Sequence, residues 1–379
     1  MSTKGLEGVV VGETRLSEVY GEEGRLVYCG YEIEDLAGNV SFEEVCHLLW
    51  FGALPDEKQL GELRERLNAE SGLDSRLVEI LKLLPKETHP MSALRTAVSA
   101  LSWFDPNAED TSPEDNLRKA IRLTTQTTVL AGAIHRLMKG DEPVEWRNDL
   151  GFGANLLYAF SGEVPDELSA RVMDVALILH AEHGMNASTF SARVTVATLS
   201  DLYSGATSAI GTLKGPLHGG ANEGVMNMLI EIDTPEGAGD FVRNVLADGG
   251  RISGFGHRVY RTLDPRAPVL KDLAEKLAKQ KGTARWLEIA EKVQVVMAEE
   301  MARRDKRIYP NVDFFSAPLY FTMGIPTEHF TNIFACARMA GWSAHMLEQL
   351  SDNRLIRPGS TYIGPEGLKV TPLAARAGD

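Results

Sequence analysis

Residues 214–222 of the chain are KGPLHGGAN, a run in which His218 lies between a proline-leucine pair and two glycines. An apolar pattern at helical spacing follows, so His218 is expected at or just before a helix N-terminus. Glycines there permit unusual backbone angles and let a ligand approach closely. The positive end of the helix dipole disfavours a second positive charge. We therefore predict a neutral histidine that donates to a carbonyl, although an ordinary loop histidine shows the same local pattern.

Two other segments carry reactive side chains in similar surroundings. Residues 253–260 are SGFGHRVY, with His257 in a second glycine-rich stretch, and residues 309–316 are YPNVDFFS, with Asp313 among apolar neighbours. Burial raises the pKa of a carboxylate and makes it a stronger base. One such carboxylate and two loop histidines suggest removal of a proton next to a carbonyl, with donors that stabilise the enolate. Taken singly, each segment also fits a turn or a helix cap.

Together, in this order and spacing, the three segments resemble the citrate synthase family. The resemblance extends to residues 180–189 (HAEHGMNAST), 264–267 (DPRA) and 356–358 (IRP), and runs from about Gly8 to about Gly364. It is closest to the short form found in bacteria and archaea. The implied reaction condenses acetyl-CoA with oxaloacetate and water to give citrate and CoA. The alternative within the family is 2-methylcitrate synthesis from propionyl-CoA.

The chain itself predicts a mostly helical fold. A capping box at residues 41–44, a helix that Ser112 opens and Gly140 closes, and a long amphipathic helix over 283–304 are the main signals. Short β-type runs stand at 9–11 and 26–28. Periodicity marks no domain boundary. The resemblance implies an all-α fold with a short β-hairpin-like segment near the N-terminus. It also implies a large domain (1–219 and 324–379), a small inserted domain (220–323), and an active site in the cleft between them.

The resemblance also implies roles for individual residues. Asp313 is expected to remove a methyl proton from acetyl-CoA, His218 to donate to the thioester oxygen, and His257 to donate to the oxaloacetate carbonyl. The residues expected to bind oxaloacetate and citrate are His183, Arg266, Arg338 and Arg357, the last reaching in from the other subunit of a homodimer. The residues expected along CoA are Arg251, Ile252, Ser253, Gly254, Phe255, Gly256 and Lys306.

Two features leave other functions open. His180 and His183 are three apart on a predicted helix and are therefore expected on one face, a spacing that could hold a metal ion. A metal-dependent lyase that also uses His218 is one alternative. The resemblance implies no metal and no cofactor, with CoA thioester as a substrate. A non-enzymatic helical scaffold is the third class, although it would not require these three loops. Short citrate synthases usually carry an acid where this chain has Gly184, so the resemblance implies no acidic support for His183 from this position.

Composition excludes several classes of protein. The net charge of −14 argues against a nucleic-acid binder and means that anionic substrates need a local basic pocket. Three widely spaced cysteines indicate neither a disulfide framework nor a metal-type pair, which suits a reducing compartment such as the cytoplasm. No apolar run is long enough for a membrane span, and residues 1–5 show no signal-peptide pattern. The short N-terminal region leads us to expect no NADH-binding site.

Overall fold

The computed structural model describes residues 4–6 and 8–376. Residues 1–3, part of the segment considered for a signal peptide, lie outside the described residues. The helices within the described ranges are α1 (Ile33–Leu36), α2 (Phe42–Phe51), α3 (Glu57–Ala69), α4 (Ser75–Lys82), α5 (Pro90–Ala100), α6 (Pro113–Lys139), α7 (Phe152–Ser161), α8 (Glu167–His180), α9 (Ala187–Val196), α10 (Leu202–Leu213), α11 (Ala221–Ile232), α12 (Ala238–Ala247), α13 (Arg266–Lys281), α14 (Arg285–Arg303), α15 (Val312–Thr322) and α16 (Phe330–Ser351). The all-α prediction is confirmed.

The predicted helix ends follow from local side-chain chemistry. At α2, the hydroxyl of Ser41 accepts the backbone N–H of Glu44, and the Glu44 carboxylate accepts the N–H of Ser41. Ser112 caps α6, which ends at Gly140 in the left-handed conformation, with φ of 87°. The long helix predicted over 283–304 is α14, which is two residues shorter at its start and one at its end.

A small antiparallel sheet stands near the N-terminus. Its strands are β1 (Ser17–Tyr20), β2 (Arg25–Tyr28) and β3 (Tyr31–Glu32), in the order β1-β2-β3. The expected hairpin-like segment is therefore present. The β-type run expected at 9–11 was wrong, because these residues join no strand and Val10 is 87% exposed. Three valines favour extended backbone, but a strand also needs a neighbour for its hydrogen bonds.

The turn between β1 and β2 packs against the segment that follows His257. The backbone N–H of Arg261 donates to the carbonyl of Gly21 over 2.9 Å. A side chain at position 21 would collide with the carbonyl of Val259, so only glycine permits this approach. The sheet thus supports the loop between His257 and α13.

The helices form two groups of mutual contacts. In one, α16 packs against α6, α8, α9 and α10, with α2 and α5 alongside. In the other, α15 contacts α11, α13 and α14, and α12 packs on α14. The groups meet where α13 contacts α8 and where α11 contacts α16. Over the described ranges, no helix combines the length and apolar character needed to cross a bilayer.

Candidate active site

His257 is held in one neutral tautomer by the backbone that follows it. Its Nδ1 accepts the N–H of Val259 at 3.0 Å and the N–H of Tyr260 at 3.1 Å. An amide can only donate, so Nδ1 carries no proton and the neutral ring holds its proton on Nε2. Burial, with Arg266 nearby, lowers the pKa of His257 to about 4. His257 is therefore an uncharged donor through Nε2.

His218 lies in the turn after α10, three residues before α11 begins at Ala221. Its Nε2 accepts the backbone N–H of Ser188 at 3.3 Å and lies 2.7 Å from the Ser188 hydroxyl. The Trp342 indole N–H donates to that hydroxyl over 3.0 Å. The proton of His218 therefore resides on Nδ1. The predicted neutrality rests on a different cause from the helix dipole, because burial and Arg338 lower the pKa of His218 to about 4.

Asp313 is the second residue of α15 and is half-buried. Asn311 caps the helix, donates its backbone N–H to the Gly254 carbonyl, and donates from its side chain to the Gly256 carbonyl. These bonds tie the loop that carries His257 to the start of α15. The Asp313 carboxylate accepts no hydrogen bond from any described residue, and burial raises its pKa to about 7. The pKa of Asp313 therefore lies near neutral pH.

Two buried arginines face different local partners. Arg266 forms a two-pronged ion pair with Asp264, at 2.9 and 2.8 Å, and is 2% exposed. Arg338 is 1% exposed and donates from Nε to the His180 carbonyl over 2.6 Å. Within the described ranges the terminal nitrogens of Arg338 have no hydrogen-bond or ion-pair partner, and burial lowers its pKa to about 10. A buried cation that forms no ion pair with a described residue suits an anionic ligand.

His183 lies in a turn rather than on a helix. Because α8 ends at His180, the expectation that His180 and His183 share one helix face was wrong. In the turn that follows, Gly184 adopts φ of 61° and donates its N–H to the Ser17 hydroxyl at 3.0 Å. His183 Nε2 lies 3.2 Å from the Tyr260 hydroxyl, and its ring centroid is 5.3 Å from that of His257.

No acid follows His183 at position 184, but an acid, Glu182, stands immediately before it. Glu182 is fully buried, and its Oε1 accepts from the Ser17 hydroxyl at 2.8 Å and from His345 Nε2 at 2.9 Å. The turn is further held by Tyr28, whose hydroxyl donates to the Glu182 carbonyl over 2.7 Å. His183 therefore has a fixed backbone although no acid follows it.

A cavity of about 830 Å³ opens beside His257. Five of the residues expected along CoA line it, namely Arg251, Ile252, Phe255, Gly256 and Lys306. Ser253 and Gly254 do not, because Gly254 is pressed against Phe314 and Ser253 lies next to Gly224. Four more cations line the same cavity: Arg258, Arg261, Arg304 and Arg307. This is a strongly basic pocket on a chain of net charge −14.

Arg357 stands apart from these residues. It is exposed in the segment after α16 and pairs with no acid among the described residues. The same segment exposes apolar side chains, with Ile363 at 94% and Leu355 at 58%. Within one chain, therefore, Arg357 does not join the other candidate residues.

Sequence reasoning missed Ser188 and Tyr260, which bond to the site histidines. Ser188 stands in the HAEHGMNAST segment, but nothing in the sequence reveals that its N–H faces His218. Tyr260 is three residues after His257, a spacing that a turn brings together. No three His, Cys, Asp or Glu side chains in the described part of the chain are grouped to hold a metal, so His180, His183 and His218 do not form the metal site that the lyase alternative needs.

Comparison with known proteins agrees with this geometry. A family model described as the citrate synthase C-terminal domain matches residues 5–359. Citrate synthase 2 of Bacillus subtilis is 48% identical, covering 99% of this chain and all of the relative. A 2-methylcitrate synthase of Mycobacterium tuberculosis is 43% identical, covering 96% and 91%. The ternary complex of Thermoplasma acidophilum citrate synthase with carboxymethyl coenzyme A and oxaloacetate superimposes with a TM-score of 0.92, at 32% identity, covering 99% of this chain and 100% of that one.

Proposed function

The chain belongs to the citrate synthase family, and we propose how its residues divide the reaction between them. The enzyme condenses acetyl-CoA with oxaloacetate and water to give citrate and CoA, and it is an acyltransferase that converts the acyl group to an alkyl group on transfer. The observation that carries the proposed roles is a pair of neutral histidines, each locked in one tautomer, together with a carboxylate whose pKa burial raises to about 7.

Asp313 removes a methyl proton from acetyl-CoA while Nδ1–H of His218 donates to the thioester oxygen and stabilises the enol. The enol carbon then attacks the oxaloacetate carbonyl, whose oxygen receives a hydrogen bond from Nε2–H of His257. Citryl-CoA forms, and water hydrolyses its thioester to citrate and CoA. Donors fixed before the reaction are worth about 3–4 kcal/mol each, and holding two substrates together contributes up to about 7–11 kcal/mol.

Buried arginines bind the carboxylates of the substrate. Arg338 and Arg266 bind oxaloacetate, supported by His183. The unpaired terminal nitrogens of Arg338 favour this role, because a planar guanidinium suits a carboxylate. Arg251, Ile252, Ser253, Gly254, Phe255, Gly256 and Lys306 form the CoA segment. The cavity beside them carries enough positive charge for phosphates. No metal and no cofactor takes part in these steps.

We further propose that residues 220–323 form a small domain inserted between 1–219 and 324–379. Oxaloacetate then bridges the two, because His257, Arg266 and Asp313 belong to the insertion while His183 and Arg338 do not. Contacts made only in the closed state would favour closure. Small-angle scattering should show compaction at saturating oxaloacetate, and an unchanged radius of gyration would contradict this.

The enzyme is proposed to be a homodimer in which Arg357 completes the partner's site. The supporting observation is the segment after α16, which has no regular secondary structure, exposes apolar side chains and carries an arginine with no acidic partner among the described residues. We assign the protein to the cytoplasm, since its three cysteines are free.

The acyl preference decides between citrate and 2-methylcitrate synthesis. One methylene changes the preference by only about 1–3 kcal/mol, and relatives with the second activity are 43% identical. A thiol-release assay with oxaloacetate should give a higher kcat/KM for acetyl-CoA than for propionyl-CoA. The reverse order would make the protein a 2-methylcitrate synthase. No thiol release from either thioester would overturn the proposed function.

A further inference from the structure

Tyr260 is bonded to both histidines that surround the expected position of oxaloacetate. Its hydroxyl lies 3.2 Å from His183 Nε2, and its backbone N–H donates to His257 Nδ1 over 3.1 Å. The tyrosine ring centroid is 5.6 Å from that of His183 and 4.7 Å from that of His257. Tyr260 is only 4% exposed. One residue therefore connects a histidine of the turn after α8 with a histidine more than seventy positions later in the sequence.

The hydroxyl has a single candidate acceptor. Among the described residues, His183 Nε2 is its only hydrogen-bond partner. A buried hydroxyl proton without an acceptor is costly, so the Tyr260 O–H donates to Nε2. The neutral His183 ring then carries its proton on Nδ1, which accepts and donates no hydrogen bond within the described chain.

We propose that Tyr260 is a positioning residue that fixes the tautomer of His183, so that Nδ1–H is free to donate to oxaloacetate. This inference rests on the proposed function, and it assigns one local device to both oxaloacetate-facing histidines. The backbone N–H of Tyr260 determines which ring nitrogen of His257 carries the proton, and the Tyr260 hydroxyl does the same for His183.

Contacts of the neighbouring residues hold the backbone near Tyr260 in place. Immediately after it, Arg261 donates its N–H to the Gly21 carbonyl at the sheet turn. Thr262 and Leu263 lie against Gly24, where a side chain would not fit. Directly after Leu263, the Asp264–Arg266 ion pair stands at the start of α13. The chain is thus held along the residues that follow Tyr260, and loss of the hydroxyl alone should leave the backbone in place.

The experiment compares Tyr260→Phe with the wild type and with Tyr203→Phe as a matched control. Tyr203 is likewise a buried tyrosine whose hydroxyl bonds a side chain, that of Asp105, in a part of the protein outside the site. Calorimetry measures oxaloacetate binding, thiol release measures KM for both substrates and kcat, and thermal unfolding measures stability. Selective ¹⁵N labelling of histidine reports which nitrogen of His183 is protonated.

We expect Tyr260→Phe to raise the Kd and KM for oxaloacetate about tenfold, the usual size for a lost buried hydrogen bond. The KM for the CoA thioester should stay within about twofold, because Phe keeps the packing. Tyr203→Phe should change thermal stability without changing oxaloacetate binding. The ¹⁵N shifts of His183 should show an unprotonated Nε2 in the wild type and a mixture of tautomers in Tyr260→Phe.

Three results would overturn the role of Tyr260 alone: unchanged oxaloacetate binding in Tyr260→Phe, equal weakening of both substrates, or a protonated Nε2 on His183 in the wild type. A wild type that binds no oxaloacetate would instead overturn the proposed function. The two failures are therefore distinguishable.

Discussion

The backbone N–H of Ser188 lies 3.3 Å from Nε2 of His218, so the start of α9 holds the proton of that ring on Nδ1. The N–H groups of Val259 and Tyr260 do the same for His257 with the opposite nitrogen. Both rings are made donors by amides that cannot change their role. Such donors need no reorganisation during the reaction, which is the source of their effect on the barrier.

Replacement of His218 by alanine should lower turnover with acetyl-CoA by about 10²–10³-fold, the usual cost of one lost donor to a developing oxyanion. Hydrolysis of supplied citryl-CoA should fall much less, because His218 is assigned to the earlier enolisation step. Thiol release measured from each substrate separates the two steps. An equal loss in both assays would assign His218 to binding or to folding.

Asp313→Asn should nearly abolish citrate formation while the Kd for oxaloacetate stays within a few-fold of the wild type. The amide keeps the shape of the carboxylate but cannot accept the methyl proton. Steady-state thiol release and calorimetry provide the two readouts. Asp141→Asn, at an exposed acid that does not line the cavity beside His257, is the control and should retain full activity. Near-normal turnover in Asp313→Asn would remove this carboxylate from the mechanism.

The same variant should be more stable than the wild type at alkaline pH. The pKa of Asp313 is raised from 3.8 to about 7 in the folded protein, so the folded state binds this proton more tightly than the unfolded state does. The stabilisation that this bound proton gives to the folded state is complete below pH 3.8 and is lost as the pH rises through the folded-state pKa of about 7. We expect Asp313→Asn to raise Tm by roughly 2–4 °C at pH 8 and by less at pH 5. A Tm difference that does not change with pH would show that the carboxylate carries no buried-charge penalty.

Mixed dimers should test whether Arg357 acts across subunits. Arg357→Ala and Asp313→Asn should each be nearly inactive alone. Co-refolded heterodimers would hold one site with both defects and one intact site, so each should reach up to about half of the wild-type activity, if the intact site works independently. Native mass spectrometry measures how many heterodimers form. If heterodimers form and activity does not return, Arg357 serves its own subunit.

Much of the helical fold could be predicted because its signals are local. The capping box at Ser41 marks the start of α2, and Gly140 marks the end of α6. Each signal lies within one turn of the helix end that it specifies. The run at 9–11 failed because strand formation depends on a partner that the local sequence does not specify. His183 was assigned to a helix because the spacing from His180 fits one, whereas α8 ends at His180 and the turn that follows is held by contacts from distant residues, such as that of Gly184 with Ser17.

In the candidate site, too, only the features with local sequence signals could be predicted. Glycine-rich loops around His218 and His257 and the apolar run around Asp313 are visible in sequence. Their proton positions are not, because these depend on contacts such as Ser188 to His218, thirty residues apart. The causes of the low pKa of His218 are likewise tertiary, since the ring is buried by the fold and Arg338 is brought near it by α16.

The close approach of Gly21 to Val259 limits how the protein can be engineered. Replacing a glycine by alanine is a common route to thermostability, since it restricts the unfolded chain and is worth about 0.4–1 kcal/mol where the backbone allows it. At position 21 the added methyl group would instead push on the loop that carries His257 and Tyr260. A substitution at this position in a library for heat resistance would displace the loop and lower activity, so this turn should be left out of such a library.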